Sequence, residues 1–156
     1  MQIGGHIELN ETPWQTMVHE LQEESGYKAS ELMVLQPTSD RITESATVYH
    51  PVPFIANTHG VGNEHYHSDW CYGFVASERP QRSPALSEST DLRWLTIEEL
   101  KAATVSKTAV ADVLPIYQFL LDHLESYVQV PASGYSVKKP TGAVATYKRG
   151  APGANN

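Results

Sequence analysis

One segment near the start of the chain, residues 12–27, limits the fold more than any other because it encodes a helix together with both of its ends. Thr12, Pro13 and Gln15 have the pattern of an N-cap, a first helical residue and the third residue of a capping box. Apolar residues then recur at the spacing of one helical face, at Trp14, Met17, Val18 and Leu21. Gly26 is placed to end the helix in the left-handed conformation. The segment therefore predicts an amphipathic helix that packs on a core.

The same region is acidic and has no basic residue to balance its charge. Residues 1–27 contain five glutamates and no lysine or arginine. On a helix of about 3.6 residues per turn, Glu20, Glu23 and Glu24 share one face beside the apolar stripe. Like charges at these spacings destabilise a helix, so a compensating cation is expected, and dense carboxylate oxygens suit Mg²⁺ or Mn²⁺ better than zinc. The alternative is a solvated acidic face, which is common on helices.

The surrounding pattern resembles the Nudix box, G-x5-E-x7-R-E-U-x-E-E-x-G-U, in which U is a bulky apolar residue. The residues that match without insertion are Gly5, Glu11, Glu20, Leu21, Glu23, Glu24, Gly26 and Tyr27. One fixed position departs, since His19 replaces the arginine. Downstream, Arg93–Leu100 (RWLTIEEL) looks like the closing part of many Nudix domains. The resemblance covers roughly residues 3–125.

The resemblance implies an α+β fold, a Nudix-type α/β/α sandwich around a mixed β-sheet, in a domain of residues 1–125. Nudix domains usually have strands before the box, whereas this chain reaches Gly4 and Gly5 after three residues. The domain is therefore expected to be N-terminally truncated, with the alternative that another segment or chain supplies the missing sheet. Residues 126–156 contain four basic residues and no acidic one, with Gly, Ala and Pro throughout. They are predicted to form a flexible tail.

The remaining elements are predicted from hydrophobic period and turn residues. Strands are expected at Glu31–Gln36, around Ala46–Ala56, at Trp70–Ala76 and at Arg93–Leu95, loops at Asn57–Ser68 and Ser77–Asp91, and an amphipathic helix from about Ser106 to Glu125. Pro51 and Pro53 are expected to confine the second strand to an edge or to break its ladder. Thr96 and Glu99 form a second capping box. Pro115 is expected to bend the last helix.

The resemblance implies Mg²⁺-dependent hydrolysis of the pyrophosphate bond of a nucleoside diphosphate linked to another moiety. By position, Glu20, Glu23 and Glu24 would be the catalytic carboxylates and hold Mg²⁺ or Mn²⁺. The carbonyl of Gly5 would add a metal ligand, and Glu11 would support the helix or the metal from the preceding loop. A nucleoside triphosphate, ADP-ribose and a dinucleotide all stay open as the small-molecule substrate.

The residue at the arginine position affects the expected activity. In the family this arginine is thought to pair with the earlier glutamate of the box and to orient the catalytic carboxylates, a bidentate task suited to guanidinium. His19 can donate one hydrogen bond to Glu11, but its side chain is shorter and mostly neutral at pH 7. A weaker or pH-sensitive site is expected.

The stretch His65-Tyr66-His67-Ser68-Asp69 alternates, so that His65, His67 and Asp69 point the same way at strand spacing. Three interpretations stay open. These residues line the substrate cleft, as we expect for a similar stretch in a subgroup of bacterial Nudix proteins; they are polar residues of a wet loop; or they form a zinc site with His59.

The general base is expected in the loop before the strand at Arg93–Leu95. Glu88 is our candidate as a further catalytic residue, with Glu78 and Asp69 as alternatives, because Nudix enzymes often place a glutamate there. A solvated loop carboxylate is the competing explanation. A general base must lie within hydrogen-bond reach of the attacking water.

Composition excludes several other classes. The net charge of −7 opposes non-specific binding to nucleic acid or to an anionic membrane. The single cysteine, Cys71, excludes an internal disulfide and argues against a cysteine-based zinc site. The sequence contains no apolar run of membrane-spanning length and no signal peptide, which favours a cytoplasmic protein. A homodimer stays open, as do two rival functions, a non-catalytic Nudix-like nucleotide-binding module and a cupin-like metal-binding barrel.

Overall fold

The computed structural model of the protein describes residues 2–42, 47–89, 91–109 and 113–138. The three helices are α1 (Pro13–Ser25), α2 (Ile97–Val105) and α3 (Val113–Asp122), and the five strands are β1 (Leu32–Gln36), β2 (Ile55–Gly62), β3 (His65–Cys71), β4 (Phe74–Ala76) and β5 (Val128–Pro131). Short 3₁₀ turns lie at Ala29–Glu31, Leu124–Ser126 and Ala132–Gly134. The predicted α+β class is confirmed, and three helices beside two small sheets do not form a cupin barrel.

The strands form two separate antiparallel sheets. In the first, β1 lies between β4 and β5, with Val34 opposite Phe74 on one side and opposite Val130 on the other. The second sheet is the β2–β3 hairpin. Every pairing between the described strands is antiparallel, which differs from the mixed sheet that was predicted. The chain reverses direction between β1 and β4 and again between β1 and β5, so both neighbours run opposite to β1.

The core lies between α1 and the three-stranded sheet, with Trp14 at its centre. The indole is fully buried and stacks on Phe74 with ring centroids 6.0 Å apart. Tyr72 and Tyr135 meet it edge-on at 5.5 and 5.8 Å. The buried residues of this cluster are Trp14, Leu21, Tyr27, Leu32, Val34, Val130 and Ala132, with Met17 and Val18 packed against them. The apolar stripe predicted for α1 therefore faces the core.

Both predicted ends of α1 are confirmed. The Thr12 hydroxyl accepts from the backbone N–H of Gln15, and the Gln15 side chain accepts from the N–H of Thr12, so the capping box is complete. Gly26 ends the helix at φ 78°, in the left-handed region. A Cβ atom on Gly26 would collide with the backbone of Arg82, so the same glycine also lets the loop after β4 approach the helix.

The region around the two prolines folds differently from its prediction. Residues 47–54 form neither strand nor helix, and β2 begins only at Ile55. Ala46, the predicted start, lies outside the described residues. Pro51 and Pro53 have no N–H to donate to a ladder, which explains why the strand starts after them.

The predicted loop Asn57–Ser68 is wrong, because these residues form most of the β2–β3 hairpin. Its turn is made by Asn63 and Glu64, both at positive φ, 49° and 58°. Two consecutive left-handed residues are what a tight hairpin turn needs. The signal was weak in the sequence because glutamate, rather than glycine, occupies the second position.

The predicted strand Trp70–Ala76 is divided between two sheets. Its first residues belong to β3 and its last to β4, and the chain changes partner at Tyr72 and Gly73. A Cβ on Gly73 would lie 3.0 Å from the Leu35 side chain, so glycine gives this side chain room where the chain crosses the end of β1. The crossing, rather than a single continuous ladder, is what joins the hairpin to the core sheet.

Two predictions about the second half of the chain are also corrected. Residues Arg93–Leu95 form no strand, since Arg93 instead pairs locally with Asp91 through two bonds of 2.8 Å. The last predicted helix is shorter: Ser106 caps α2, and α3 is described from Val113 to Asp122 with Pro115 as its third residue. Residues 110–112 of that prediction lie outside the described part. The capping box of α2 at Thr96 is confirmed.

The first part of the predicted flexible tail is structured. β5 pairs with β1 along four residue positions, and Val130 and Ala132 are buried in the core. The Tyr135 hydroxyl donates to Gln36 at 3.2 Å. The Val-Gln-Val alternation is a strand pattern that places Val130 inward, but it is short and sits in a segment rich in small residues. The remainder of the tail prediction, residues 139–156, lies outside the described residues.

Candidate active site

The three glutamates predicted as catalytic carboxylates lie on the face of α1 that meets the loop of residues 2–12, which we call the glycine loop. Glu24 accepts a hydrogen bond from the N–H of Gly4 through Oε2, at 2.9 Å. A Cβ atom added to Gly5 would overlap the carboxylate of Glu20. The backbone of the glycine loop therefore lies directly against two of the three carboxylates, and the contact requires glycine.

We call Glu20, Glu23 and Glu24 the acidic face. Their negative charges repel one another. The pKa of Glu20 is raised, first by desolvation and next by the carboxylate of Glu24. Glu23 and Glu88 raise this pKa further, whereas His19 lowers it. Uncompensated carboxylates at this density are chemically suited to a cation.

His19 lies between two glutamates. Its Nε2 is 3.0 Å from Oε1 of Glu23, and its Nδ1 is 3.8 Å from Oε1 of Glu11. The second distance is too long for a hydrogen bond, so the predicted bond to Glu11 is not formed, and His19 lies instead against Glu23 of the acidic face. Glu11 is held instead by the hydroxyl of Thr16, at 3.0 Å. Thr16 was missed from the sequence, although a buried hydroxyl in the first turns of a helix calls for a partner.

The loop that carries Glu88 reaches the acidic face. The N–H of Ala85 donates to the carbonyl of Glu23 at 2.7 Å, which fixes the loop to α1. A cavity of about 110 Å³ is lined by Gln2, Ile3, Glu24, Ser89, Asp91 and Leu92. The Glu88 charge acts on Glu20, as described above. Of the two alternatives to Glu88, the Asp69 carboxylate pairs with His59, and the backbone carbonyl of Glu78 accepts from the Tyr27 hydroxyl.

Four histidines gather at one face of the β2–β3 hairpin. We call His6, His59, His65 and His67 the histidine face. His67 lies at its centre, with ring centroids 4.9 Å from His6, 5.1 Å from His65 and 5.7 Å from His59. Oδ2 of Asp69 is 3.2 Å from Nδ1 of His59. His6, next to Gly5 in the glycine loop, was not singled out from the sequence; its contact with His67 links this loop to the hairpin.

A second cavity, about 370 Å³, is lined by Ala76, Ser77, Glu78, Arg79 and Trp94. Of these five residues, only Glu78, an alternative to Glu88 as the general base, was considered for catalysis or metal binding. The smaller cavity beside Glu24 is the one that meets the acidic face, so chemistry rather than size identifies the candidate site.

The acidic face fits a divalent cation in its chemistry but not in its present side-chain arrangement. Within the described ranges, no three His, Cys, Asp or Glu side chains stand in an arrangement that could hold a metal together. Glu24 accepts a hydrogen bond from Gly4, and Glu23 lies 3.0 Å from His19. The donor chemistry of the acidic face still fits Mg²⁺ or Mn²⁺, because the donors are carboxylate oxygens and their repulsion would be relieved by a cation. Metal binding would require these exposed ends to rotate from their present partners.

Among the described helices, none has the length and apolar character needed to cross a bilayer.

Comparison with known proteins places the chain in a family. Residues 3–115 match the family model described as the NUDIX domain. No curated protein matched the chain. Among solved structures, a hydrolase of the NUDIX family from Clostridium perfringens superposes with a TM-score of 0.56 at 24% identity, covering 77% of this chain and 78% of that one. The predicted Nudix-type fold is thereby confirmed.

Proposed function

Because the chain belongs to the NUDIX family of hydrolases, we propose that it catalyses Mg²⁺-dependent hydrolysis of the pyrophosphate bond in a nucleoside diphosphate linked to another moiety. The observation that carries this proposal is the glycine loop held against Glu20 and Glu24. This contact places the backbone groups of the glycine loop beside the carboxylates of Glu20 and Glu24 at the surface. A nucleoside triphosphate, ADP-ribose and a dinucleotide are the substrates to compare, and the cytoplasm is the proposed location.

We propose that Glu20, Glu23 and Glu24 hold Mg²⁺, with Mn²⁺ as the alternative and the carbonyl of Gly5 as a further ligand. When bound, the metal neutralises the phosphate charge that opposes attack by water. Without it, the negative charge of this face would repel an anionic substrate. The match between cation, carboxylates and polyphosphate therefore supports this assignment.

The neighbouring residues have supporting roles in this proposal. Glu88 would accept the proton of the attacking water, because its loop is fixed to α1 through Ala85. Glu11 would act as a positioning residue. His19 orients Glu23 through the contact of 3.0 Å. This contact is the only one His19 makes at hydrogen-bond distance among the described residues, so it replaces the arginine only in part.

On the hairpin, we propose that His65, His67 and Asp69 face the substrate. His6 contacts His67 and is the neighbour of Gly5 in the chain. The histidine face therefore lies near the glycine loop. The exposed imidazoles can donate hydrogen bonds to phosphate or sugar oxygens.

The proposal is tested by measuring phosphate or nucleotide release from a panel of nucleoside triphosphates, ADP-ribose and dinucleotides, with Mg²⁺, with Mn²⁺ and with EDTA. We expect turnover of one substrate class that requires the metal and disappears in Glu23→Gln. Glu125→Gln is the matched control, because this exposed glutamate lies outside the acidic face. Equal turnover in EDTA, or full activity in Glu23→Gln, would contradict the proposal.

The alternative function, a nucleotide-binding module without turnover, is favoured by His19. The substitution His19→Arg distinguishes the two. A guanidinium can bond Glu11 and Glu23 at the same time, so an enzyme is expected to gain several-fold in kcat. A binding module would bind nucleotides in calorimetry before and after the substitution and release no product in either form.

A further inference from the structure

The histidine face includes His59, an imidazole to which the proposed hydrolysis gives no role. His59 on β2 lies directly opposite His67 on β3 in the hairpin register. Residues opposite each other in an antiparallel pair project from the same face, with Cβ atoms about 4.5–5.5 Å apart. Two imidazoles at this separation can reach one ion, since metal–nitrogen bonds are about 2.0–2.1 Å long.

Asp69 contacts one of these two histidines and affects which ligand the pair can bind. Its Oδ2 is 3.2 Å from Nδ1 of His59, so Nε2 of His59 is the nitrogen that would bind a metal. A histidine that binds a metal commonly donates its other N–H to a carboxylate in this way. The negative charge of this carboxylate also favours a cation beside His59.

Exposure allows the two rings to adopt the geometry that an ion requires. The His59 side chain is 51% exposed, and His67 is half-buried between His6 and His65. Rotamer changes of exposed side chains are fast and cost little. The remaining coordination positions face solvent and can be filled by water.

We propose that His59 and His67 chelate one divalent cation of the zinc class, with Asp69 orienting His59 and water completing the coordination. Imidazole nitrogens select Zn²⁺, Co²⁺ or Ni²⁺ over Mg²⁺. This site therefore differs in ligand chemistry from the acidic face and does not depend on the hydrolase activity.

The test is calorimetric titration of Zn²⁺ into the full chain in the presence of excess Mg²⁺, without substrate. We expect one equivalent to bind. His67→Ala and His59→Ala are each expected to abolish this binding, and Asp69→Asn to weaken it by about 10–100-fold. The matched control is His123→Ala, because His123 is an exposed histidine stacked on Phe119 of α3, and it should bind like the original chain. Circular dichroism checks that each variant is folded.

Glu23→Gln separates this inference from the proposed function. Zn²⁺ binding that survives Glu23→Gln and is lost in the folded His59→Ala variant supports the two-histidine site, whether or not the chain hydrolyses nucleotides. The proposal is overturned if no Zn²⁺ binds, if Glu23→Gln abolishes the binding, or if His123→Ala weakens it as much as His59→Ala. It is also overturned if His67→Ala changes only the KM for a nucleotide, because His67 would then contact the substrate alone.

Discussion

At the scale of single residues, Glu20 is a carboxylate whose ionised form destabilises the fold, although the proposed activity requires that form. Its raised pKa means that the folded protein opposes ionisation of this group, mainly by desolvation and then by the charge of Glu24. Above that raised pKa the ionised group destabilises the native state, and below the pKa of the unfolded chain this penalty is absent.

We therefore expect Glu20→Gln to abolish metal-dependent hydrolysis and, without metal, to raise the melting temperature at neutral pH. The gain should shrink as the pH falls through the raised pKa. Thermal unfolding in EDTA from neutral to acidic pH measures this, with Glu125→Gln as the comparison. An unchanged or lower melting temperature at neutral pH would show that Glu20 is not under electrostatic strain.

Gly5 supplies a second prediction at this scale, because a methyl group there would take the space of the Glu20 carboxylate. Gly5 is exposed, so Gly5→Ala is expected to change the free energy of unfolding by no more than about 0.5 kcal/mol. The displaced carboxylate should nevertheless lower kcat strongly. Gly60→Ala is the control, since a Cβ at Gly60 meets only the Tyr66 ring, at 4.0 Å. Retained activity in Gly5→Ala would mean that the carboxylate position is not critical.

At the scale of secondary structure elements, α1 was predictable almost residue by residue because its signals are local. Thr12, Gln15 and Gly26 act within one or two turns of their own positions, and the spacing of the glutamates fixes their common face. The hairpin was not predictable in the same way. Its turn depends on the strained conformation of Glu64, and the contact of His6 with His67 joins residues far apart in sequence.

The second capping box gives a pH-dependent prediction for α2. The pKa of Glu99 is lowered, first by the hydrogen bond from the backbone of Thr96 and next by that from its hydroxyl. A lowered pKa means that the ionised group stabilises the native state above the pKa of the unfolded chain, and that this stabilisation is lost as the pH falls through the lowered value.

We expect Glu99→Gln to lower the free energy of unfolding at neutral pH, with the difference from the original chain vanishing under acidic conditions. Urea unfolding at several pH values measures it. Glu125→Gln, which removes an exposed charge outside α2, is the comparison. A constant difference for Glu99→Gln at all pH values would contradict the assignment.

At the scale of the whole molecule, the core depends on a strand that the sequence did not reveal. A short Val-Gln-Val run carries little signal by itself, and its assignment to a sheet depends on β1, which lies far earlier in the chain. Val130 completes the cluster around Trp14, and burial of one valine contributes about 1.5–3 kcal/mol.

A chain shortened after residue 125 should therefore lose cooperative unfolding, whereas a chain shortened after residue 138 keeps every contact described here. Far-ultraviolet circular dichroism during thermal unfolding distinguishes the two. A cooperative transition in the shorter chain would place residues 126–138 outside the folding unit.

The pairing of Val34 with Val130 also constrains the order of events during translation. A ribosome delivers α1, β1 and the hairpin long before β5 leaves the exit tunnel, so the nascent chain carries an exposed edge of β1 and an incomplete pocket around Trp14. Such intermediates attract chaperones and invite intermolecular strand pairing. The yield of native protein is thus set late in synthesis, and slowing the ribosome before codon 131 would lengthen the interval in which the chain can aggregate.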